Sequence, residues 1–196
     1  MSLALPPGPF AAYLFDIDGT IADTMPLHYR AWRETLDPLG SEYPEELFYE
    51  IGGTPTRRIV EFLNERNGLA LEPLLIARRK EEAFIALLDG VRPIEAVMAV
   101  ARNAVAEGRK IAAVTGSRHW VAERILAGIG ASQLFSTLIT ADDVAQGKPA
   151  PDGYLEAARR LEVRPAECLV FEDTRIGIGA ATAAGMQWVL IPRGSS

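Results

Sequence analysis

The chain has 196 residues, of which 48% are hydrophobic and 23% charged, and its formal net charge is −6. No apolar run approaches the length of a membrane helix and no basic block predicts a nucleic-acid-binding surface, so we expect a globular protein without membrane or nucleic-acid partners. Residues 1–10 lack the pattern of a signal peptide, so we expect a cytoplasmic protein. The single cysteine, Cys168, excludes an intrachain disulfide, and its apolar surroundings predict an unreactive core thiol.

The predicted elements alternate along most of the chain. Residues 12–15 predict a buried strand, and residues 25–93 carry helical patterns without a convincing strand. Further helices are predicted at 97–106, 121–126, 154–161 and 176–184, and further strands at 110–114, 138–140, 169–171 and 188–191. This alternation predicts an α/β fold with a parallel sheet covered by helices on both faces. We predict a core of residues 1–24 and 91–196, with an all-helical domain of residues 25–90 inserted into it.

Two aspartates follow the first predicted strand, in the sequence Asp16-Ile17-Asp18-Gly19-Thr20. Polar residues at the point where a buried strand stops are typical of functional sites. If strand geometry continues through Asp18, both carboxylates point to the same face. At about 4 Å and an effective dielectric of ~20, they repel by roughly 4 kcal/mol. The pair therefore requires a cation, a shared proton or different environments, unless the stretch is only a turn.

Polar residues also follow three later strands. They are Thr115, Gly116 and Ser117 after residues 110–114, Lys148 after residues 138–140, and Glu172 and Asp173 after residues 169–171. Because the carboxyl ends of parallel strands share one edge of a sheet, we expect these side chains to converge. Carboxylates suit Mg²⁺, while an ammonium and hydroxyls suit phosphoryl oxygens. The pattern therefore predicts a site for magnesium and phosphate.

Two glycine-containing stretches resemble nucleotide-binding motifs without meeting their requirements. The sequence before Lys148 is not a P-loop, because Pro149 stands where Ser or Thr is needed and Asp142 replaces the first glycine. Gly177 and Gly179 follow a strand and open a helix, but the third glycine of a dinucleotide fingerprint is missing. A helix of small residues packed closely on the sheet explains this pair better.

Taken together, the strand-end residues resemble the motifs of the haloacid dehalogenase superfamily, and in particular its small sugar-phosphate phosphatases and β-phosphoglucomutases. The stretch Gly52-Gly53-Thr54-Pro55-Thr56 is more similar to the fructose-1-phosphatase-like branch. The resemblance covers nearly the whole chain and implies a Rossmann-like core with an inserted helical cap domain. The four matching stretches are Asp16-Ile17-Asp18-Gly19-Thr20, Val114-Thr115-Gly116-Ser117, Lys148-Pro149-Ala150-Pro151-Asp152 and Phe171-Glu172-Asp173-Thr174.

The resemblance implies a role for each core residue. Asp16 would be the nucleophile and Asp18 the general acid and base. Mg²⁺ would be held by Asp16, the backbone carbonyl of Asp18 and Asp173, with Glu172 nearby. The phosphoryl group would be contacted by Lys148, Thr115, Gly116 and Ser117.

In the cap, the resemblance implies a substrate-facing set made of Thr24, His28, Gly53, Thr56, Arg57 and Lys80. Where the mutase has an arginine for the distal phosphate, this chain has Thr56, and Arg57 follows one position late. A purely structural role for His28 and a solvated position for Lys80 are the alternatives.

These residues favour a Mg²⁺-dependent phosphatase that hydrolyses small sugar phosphates through an aspartyl-phosphate intermediate. A β-phosphoglucomutase, which interconverts β-glucose 1-phosphate and glucose 6-phosphate, is the nearest alternative, because Arg57 could restore the missing clamp. A metal-independent dehalogenase fits less well, since that branch lacks the second aspartate. A catalytically inactive binding module is the remote alternative. The sequence leaves the sugar and the oligomeric state open, with a monomer plausible.

Overall fold

The computed structural model of the protein describes residues 3–192. Within that range there are five strands and eight α-helices. In chain order they are β1 (Ala12–Asp16), α1 (Met25–Leu36), α2 (Glu45–Glu50), α3 (Thr56–Asn67), α4 (Pro73–Leu87), α5 (Glu95–Ala106), β2 (Lys110–Val114), α6 (His119–Gly128), β3 (Thr137–Ile139), α7 (Asp152–Leu161), β4 (Cys168–Glu172), α8 (Arg175–Ala183) and β5 (Gln187–Leu190).

The strands form one parallel sheet in the order β3-β2-β1-β4-β5. β1 is central, and the chain adds strands first on its β2 side and then on its β4 side. The direction of winding therefore reverses between β1 and β4, and ligands in such sheets bind where it reverses, beyond the carboxyl ends of the strands. Asp16 ends β1 and Glu172 ends β4.

Both faces of the sheet are buried, which explains why its central strands are continuous apolar runs. On one face Leu14 and Val170 pack with the buried side chains of α7 and α8. On the other face the rings of Phe15 and Phe171 stack with centroids 4.5 Å apart. Successive side chains of a strand point to opposite faces, so each strand contributes to both cores.

Residues 24–90 form a second compact unit, distinct from the unit that contains the sheet. It consists of α1 to α4 and has its own core of aromatic and aliphatic side chains: Trp32, Leu36, Tyr43, Phe48, Ile59, Val60, Leu63 and Ile76. The six residues of α2 are too few to show a helical period in the sequence. Thr24 belongs to this helical unit rather than to the core of residues 1–24 and 91–196 that the sequence predicts.

The remaining predicted elements are present, with ends displaced by a few residues at most. Cys168 is completely buried in β4, as expected for a core thiol. In the part of the chain that the structure describes, no helix combines the length and the apolar composition needed to cross a membrane.

Candidate active site at the carboxyl ends of the strands

The Asp16 carboxylate is buried at the end of the central strand and is paired with an ammonium. Lys148 Nζ lies 2.6 Å from Asp16 Oδ1 and 2.6 Å from Glu172 Oε1, so one lysine bridges two strand ends. Burial by itself would lower the pKa of Lys148, but the charges of Asp16 and Glu172 reverse this effect and raise it. Lys148 therefore stays positively charged beside the carboxylate that the sequence singled out.

The chain turns directly after Asp16, so the strand does not continue through Asp18. The carbonyl of Ile17 accepts hydrogen bonds from the amides of Thr20, Ile21 and Ala22, and Gly19 has a φ of 80°. Only glycine adopts this left-handed conformation readily. Asp16 and Asp18 therefore do not lie on one face of a continuous strand.

Asp18 instead interacts with the loop that follows β2. Its Oδ2 accepts hydrogen bonds from Thr115 Oγ1 at 3.2 Å and from Ser117 Oγ at 3.3 Å. Thr115 Oγ1 also accepts a hydrogen bond from the Ser117 amide at 3.0 Å, and Gly116 between them is exposed. Asp16 pairs with a charged donor and Asp18 with neutral hydroxyls, so the two carboxylates have different environments.

A group of three carboxylates has the composition of a divalent-cation site. Asp16, Glu172 and Asp173 each offer an oxygen, and the three oxygens lie within 4.8 Å of one another. Burial raises the pKa of Asp16 above its ordinary value, and the charges of Glu172 and Asp173 raise it further against the opposing effect of Lys148. Burial, with the charge of Glu172 adding to it, also raises the pKa of Asp173 to about 7. Since one ammonium serves several carboxylates, an added divalent cation fits both the oxygen ligands and the excess negative charge.

Glu172 is held by donors on both of its oxygens. Oε1 accepts from Lys148 and from the Tyr154 hydroxyl at 3.4 Å, and Oε2 accepts from the Thr174 amide at 2.8 Å and the Thr174 hydroxyl at 2.9 Å. Lys148 Nζ also lies 5.1 Å from the centre of the Tyr154 ring, a cation–π distance. Sequence reasoning missed Tyr154, because its position on the apolar side of α7 reads only as a core residue.

In the helical unit, the structure brings His28 and Lys80 together across 52 positions of sequence. Lys80 Nζ lies 2.6 Å from His28 Nδ1, and the His28 ring stacks on Phe84 with centroids 3.7 Å apart. Lys80 is only 7% exposed, so the solvated position that its basic neighbours suggested is wrong. A lysine ammonium can only donate hydrogen bonds, and an unprotonated Nδ1 can accept one.

The other predicted cap residues have varied surroundings within this unit. Thr24 is buried and its carbonyl accepts a hydrogen bond from the His28 amide. Gly53 is exposed with a φ of 83°, and Thr56 begins α3. The Arg57 side chain is 63% exposed and pairs with Glu61 of the same helix at 3.0 Å.

A sequence profile of the haloacid dehalogenase-like hydrolases matches residues 10–185. The chain belongs to the haloacid dehalogenase-like hydrolase family.

This hydrolase is similar to enzymes of named activity and to solved structures. The chain is 43% identical over 182 residues to the fructose-1-phosphate phosphatase YqaB of Escherichia coli. The alignment covers 92% of this chain and 95% of that protein. The crystal structure of CbbY from Rhodobacter sphaeroides in complex with phosphate has a TM-score of 0.80 at 31% identity and covers 95% and 88% of the two chains. The β-phosphoglucomutase of Clostridium difficile has a TM-score of 0.80 at 25% identity, with coverage of 92% and 84%.

Membership in a hydrolase family indicates that these carboxylates serve a hydrolytic site. This haloacid dehalogenase-like hydrolase has a buried carboxylate held by an ammonium, a second carboxylate held by hydroxyls, and an acidic group suited to a cation. Carboxylates of this kind can act as nucleophiles or carry protons, and both are chemistry that a hydrolase uses.

Proposed function

We propose that this hydrolase is a cytoplasmic, Mg²⁺-dependent phosphatase that acts on small phosphorylated sugars. The pairing of Asp16 with Lys148 beside Asp173, at the point where the winding of the sheet reverses, carries the proposal. The names of the relatives support the substrate class, since they include a fructose-1-phosphate phosphatase and a phosphatase of phosphorylated carbohydrates.

In the first step Asp16 attacks the phosphorus atom in line with the sugar oxygen. The new bond joins the carboxylate oxygen to phosphorus, the bond to the sugar oxygen breaks, and Asp18 donates a proton to the departing oxygen. In the second step Asp18 takes a proton from water, which attacks phosphorus and releases phosphate and Asp16. The Lys148 ammonium stabilises the charge on the phosphoryl oxygens, while the hydroxyls of Thr115 and Ser117 hold Asp18.

Asp16 and Asp173 would hold Mg²⁺, with Glu172 as the third carboxylate of the group. The family resemblance adds the backbone carbonyl of Asp18 as a ligand. When bound, the cation neutralises charge on the carboxylates and the phosphoryl group. Thr20 donates to Asp173 Oδ1 at 3.5 Å, and this contact helps to orient that carboxylate.

A β-phosphoglucomutase is the second candidate, because a solved enzyme of that activity shares the fold at a TM-score of 0.80. The mutase must return the phosphoryl group to a sugar and must therefore hold a second phosphate. Thr56 stands where the resemblance expects the arginine for that phosphate, and Arg57 is paired with Glu61. The phosphatase therefore remains the better-supported activity, and an inactive binding module is disfavoured by the complete set of strand-end residues.

Release of phosphate from a panel of hexose and pentose phosphates with Mg²⁺ tests the proposal. A parallel coupled assay follows conversion of β-glucose 1-phosphate to glucose 6-phosphate with a hexose bisphosphate added. We expect rapid phosphate release without isomerisation. Isomerisation without net phosphate release would establish the mutase instead, and a lack of turnover with every substrate would favour the binding module.

Replacement of the nucleophile tests the covalent mechanism. We expect Asp16→Asn to lower kcat by more than roughly 10,000-fold, because removal of a nucleophile abolishes the covalent route. Asp142→Asn, which changes a half-exposed aspartate outside the acidic group, serves as the control and should retain activity. Activity of Asp16→Asn within tenfold of the unmodified protein would rule out Asp16 as the nucleophile.

A further inference from the structure

Gly177 in the first turn of α8 is packed so closely that a side chain cannot be added to it. A Cβ atom built at this position would overlap the Glu172 carboxylate, meeting its carbon and both of its oxygens. Gly177 is itself buried, so neither group can move outward into solvent. The glycine is therefore required by the position of Glu172 rather than by its own backbone conformation.

The Glu172 carboxylate has little freedom to move away from Gly177. It is 1% exposed, and the amide and hydroxyl of Thr174 hold Oε2 while Lys148 and Tyr154 hold Oε1. The Thr174 hydroxyl also accepts the Gly177 amide at 3.0 Å, which joins the start of α8 to the same network. A displaced carboxylate would leave several buried donors without their partner, and buried polar groups are costly to leave unpaired.

Glu172 in turn determines where the Lys148 ammonium lies. A lysine ends in a flexible four-carbon stem, so its charge has no fixed position unless its partners hold it. Nζ is 2.6 Å from Glu172 and 2.6 Å from Asp16, and Lys148 therefore depends on Glu172 for its place beside Asp16.

We propose that Gly177 is a positioning residue for the phosphatase reaction: by leaving space for the Glu172 carboxylate, it places the Lys148 ammonium against Asp16. This inference rests on the proposed function and deepens it, because it assigns a kinetic role to a residue that cannot touch the substrate through a side chain. It also gives a specific reason for the glycine at position 177, which the sequence attributed to close packing on the sheet.

Gly179, two positions further along α8, is a matched control. A Cβ atom at Gly179 would meet only the Pro149 side chain, at an ordinary contact distance of 3.8 Å. Alanine normally stabilises a helix relative to glycine, so both substitutions share the same propensity effect and differ in the contact with Glu172.

The first experiment compares Gly177→Ala and Gly179→Ala by steady-state phosphate release with the sugar phosphate that the unmodified protein hydrolyses fastest. We expect Gly177→Ala to lower kcat by about 100-fold, the scale of a misplacement of about 1 Å in an active site, with KM changed less than about threefold. Gly179→Ala should stay within about twofold of the unmodified protein. A Gly177→Ala kcat equal to that of Gly179→Ala overturns the inference.

A second comparison covers the case in which Gly177→Ala does not fold. In a Glu172→Ala background the side chain that the new Cβ would meet is gone, so adding Gly177→Ala should change neither the residual kcat nor the melting temperature beyond the effect of Gly179→Ala. If Gly177→Ala lowers kcat or the melting temperature equally with and without the Glu172 side chain, the inference is overturned. Absence of turnover by the unmodified protein would contradict the proposed function itself, and the melting temperatures would still report separately whether Gly177 makes room for Glu172.

Discussion

At the scale of single residues, the surroundings of a side chain matter more than its type. Asp16 and Asp18 are two positions apart, yet one pairs with the Lys148 ammonium and the other with the hydroxyls of Thr115 and Ser117. In the proposed mechanism Asp16 attacks phosphorus and Asp18 carries protons, and the separate environments of the two carboxylates allow these separate roles. This division removes the conflict that two adjacent carboxylates would otherwise create.

Tyr43 carries a buried polar group that makes no hydrogen bond to the described residues. Its hydroxyl is buried in the core of the helical unit and has no hydrogen-bond partner among the described residues, and burial raises its pKa. We expect Tyr43→Phe to leave the free energy of unfolding unchanged or to increase it by up to about 1 kcal/mol, because it removes an unsatisfied group. Urea denaturation measures the change.

Tyr154→Phe is the matched control for that measurement, because the Tyr154 hydroxyl donates to Glu172. It should lower the free energy of unfolding by about 1 kcal/mol. A loss of more than about 1 kcal/mol in Tyr43→Phe would mean that its hydroxyl is hydrogen-bonded in solution.

At the scale of elements, α8 links helix stability to the site. Thr174 caps the helix by accepting the Gly177 amide, and the same hydroxyl donates to Glu172 Oε2. A helix start has amides without partners inside the helix, and a threonine at the cap supplies one. The Thr174 hydroxyl therefore both caps α8 and holds the Glu172 carboxylate.

Substitution of Thr174 tests this link. We expect Thr174→Ala to lower the free energy of unfolding by about 1–2 kcal/mol, because both the cap and a hydrogen bond to a charged group are lost. Thr182→Ala is the control: this exposed threonine of α8 donates only to the Ile178 carbonyl at 2.8 Å. Its replacement should be neutral or stabilising by a few tenths of a kcal/mol. Equal losses in both variants, measured by urea denaturation, would contradict the capping role.

At the scale of the whole molecule, the acidic group should make metal binding dependent on pH. Burial raises the pKa of Asp173 to about 7, and a carboxylate must lose its proton to bind a cation. We expect Mg²⁺ binding near pH 6 to release about one proton or more. Below pH 6 the affinity for Mg²⁺ should fall by about tenfold for each pH unit. Well above pH 7 the release should become small.

Isothermal titration calorimetry in two buffers of different ionisation enthalpy measures the number of protons released. Asp173→Asn is the control, and it should bind Mg²⁺ more weakly and release fewer protons at pH 6. Chelation of the metal should abolish phosphate release by the unmodified protein. Binding that releases no protons at pH 6 would contradict the role of Asp173 as a ligand.

Cys168 provides a probe of global unfolding. It is the only cysteine, it is completely buried in β4 between two neighbouring strands, and burial raises its pKa to about 11. A thiolate is the reactive form, so the folded protein should resist a thiol reagent at pH 8. We expect reagent labelling to appear with the same urea midpoint as the loss of circular dichroism. Rapid labelling without denaturant would show that the sheet opens locally.

Much of the fold and of the central site follows from the sequence alone. Apolar runs such as residues 12–15 predict buried strands, and their alternation with helices predicts a parallel sheet. Because such strands end at one edge, Asp16, Lys148 and Asp173 could be assigned to one site before any geometry was known. These features depend on local pattern and on a general property of parallel sheets, and both can be recognised in a linear chain.

Only the tertiary structure decided which side chains meet and at what distance. Asp18 turns to Thr115 and Ser117 because the chain leaves the strand after Asp16, and the burial of Lys80 against His28 joins positions 52 residues apart. The need for glycine at position 177 arises from the carboxylate that rests against it. Such contacts depend on the three-dimensional packing of elements that are separate in sequence, so periodicity and spacing could not reveal them.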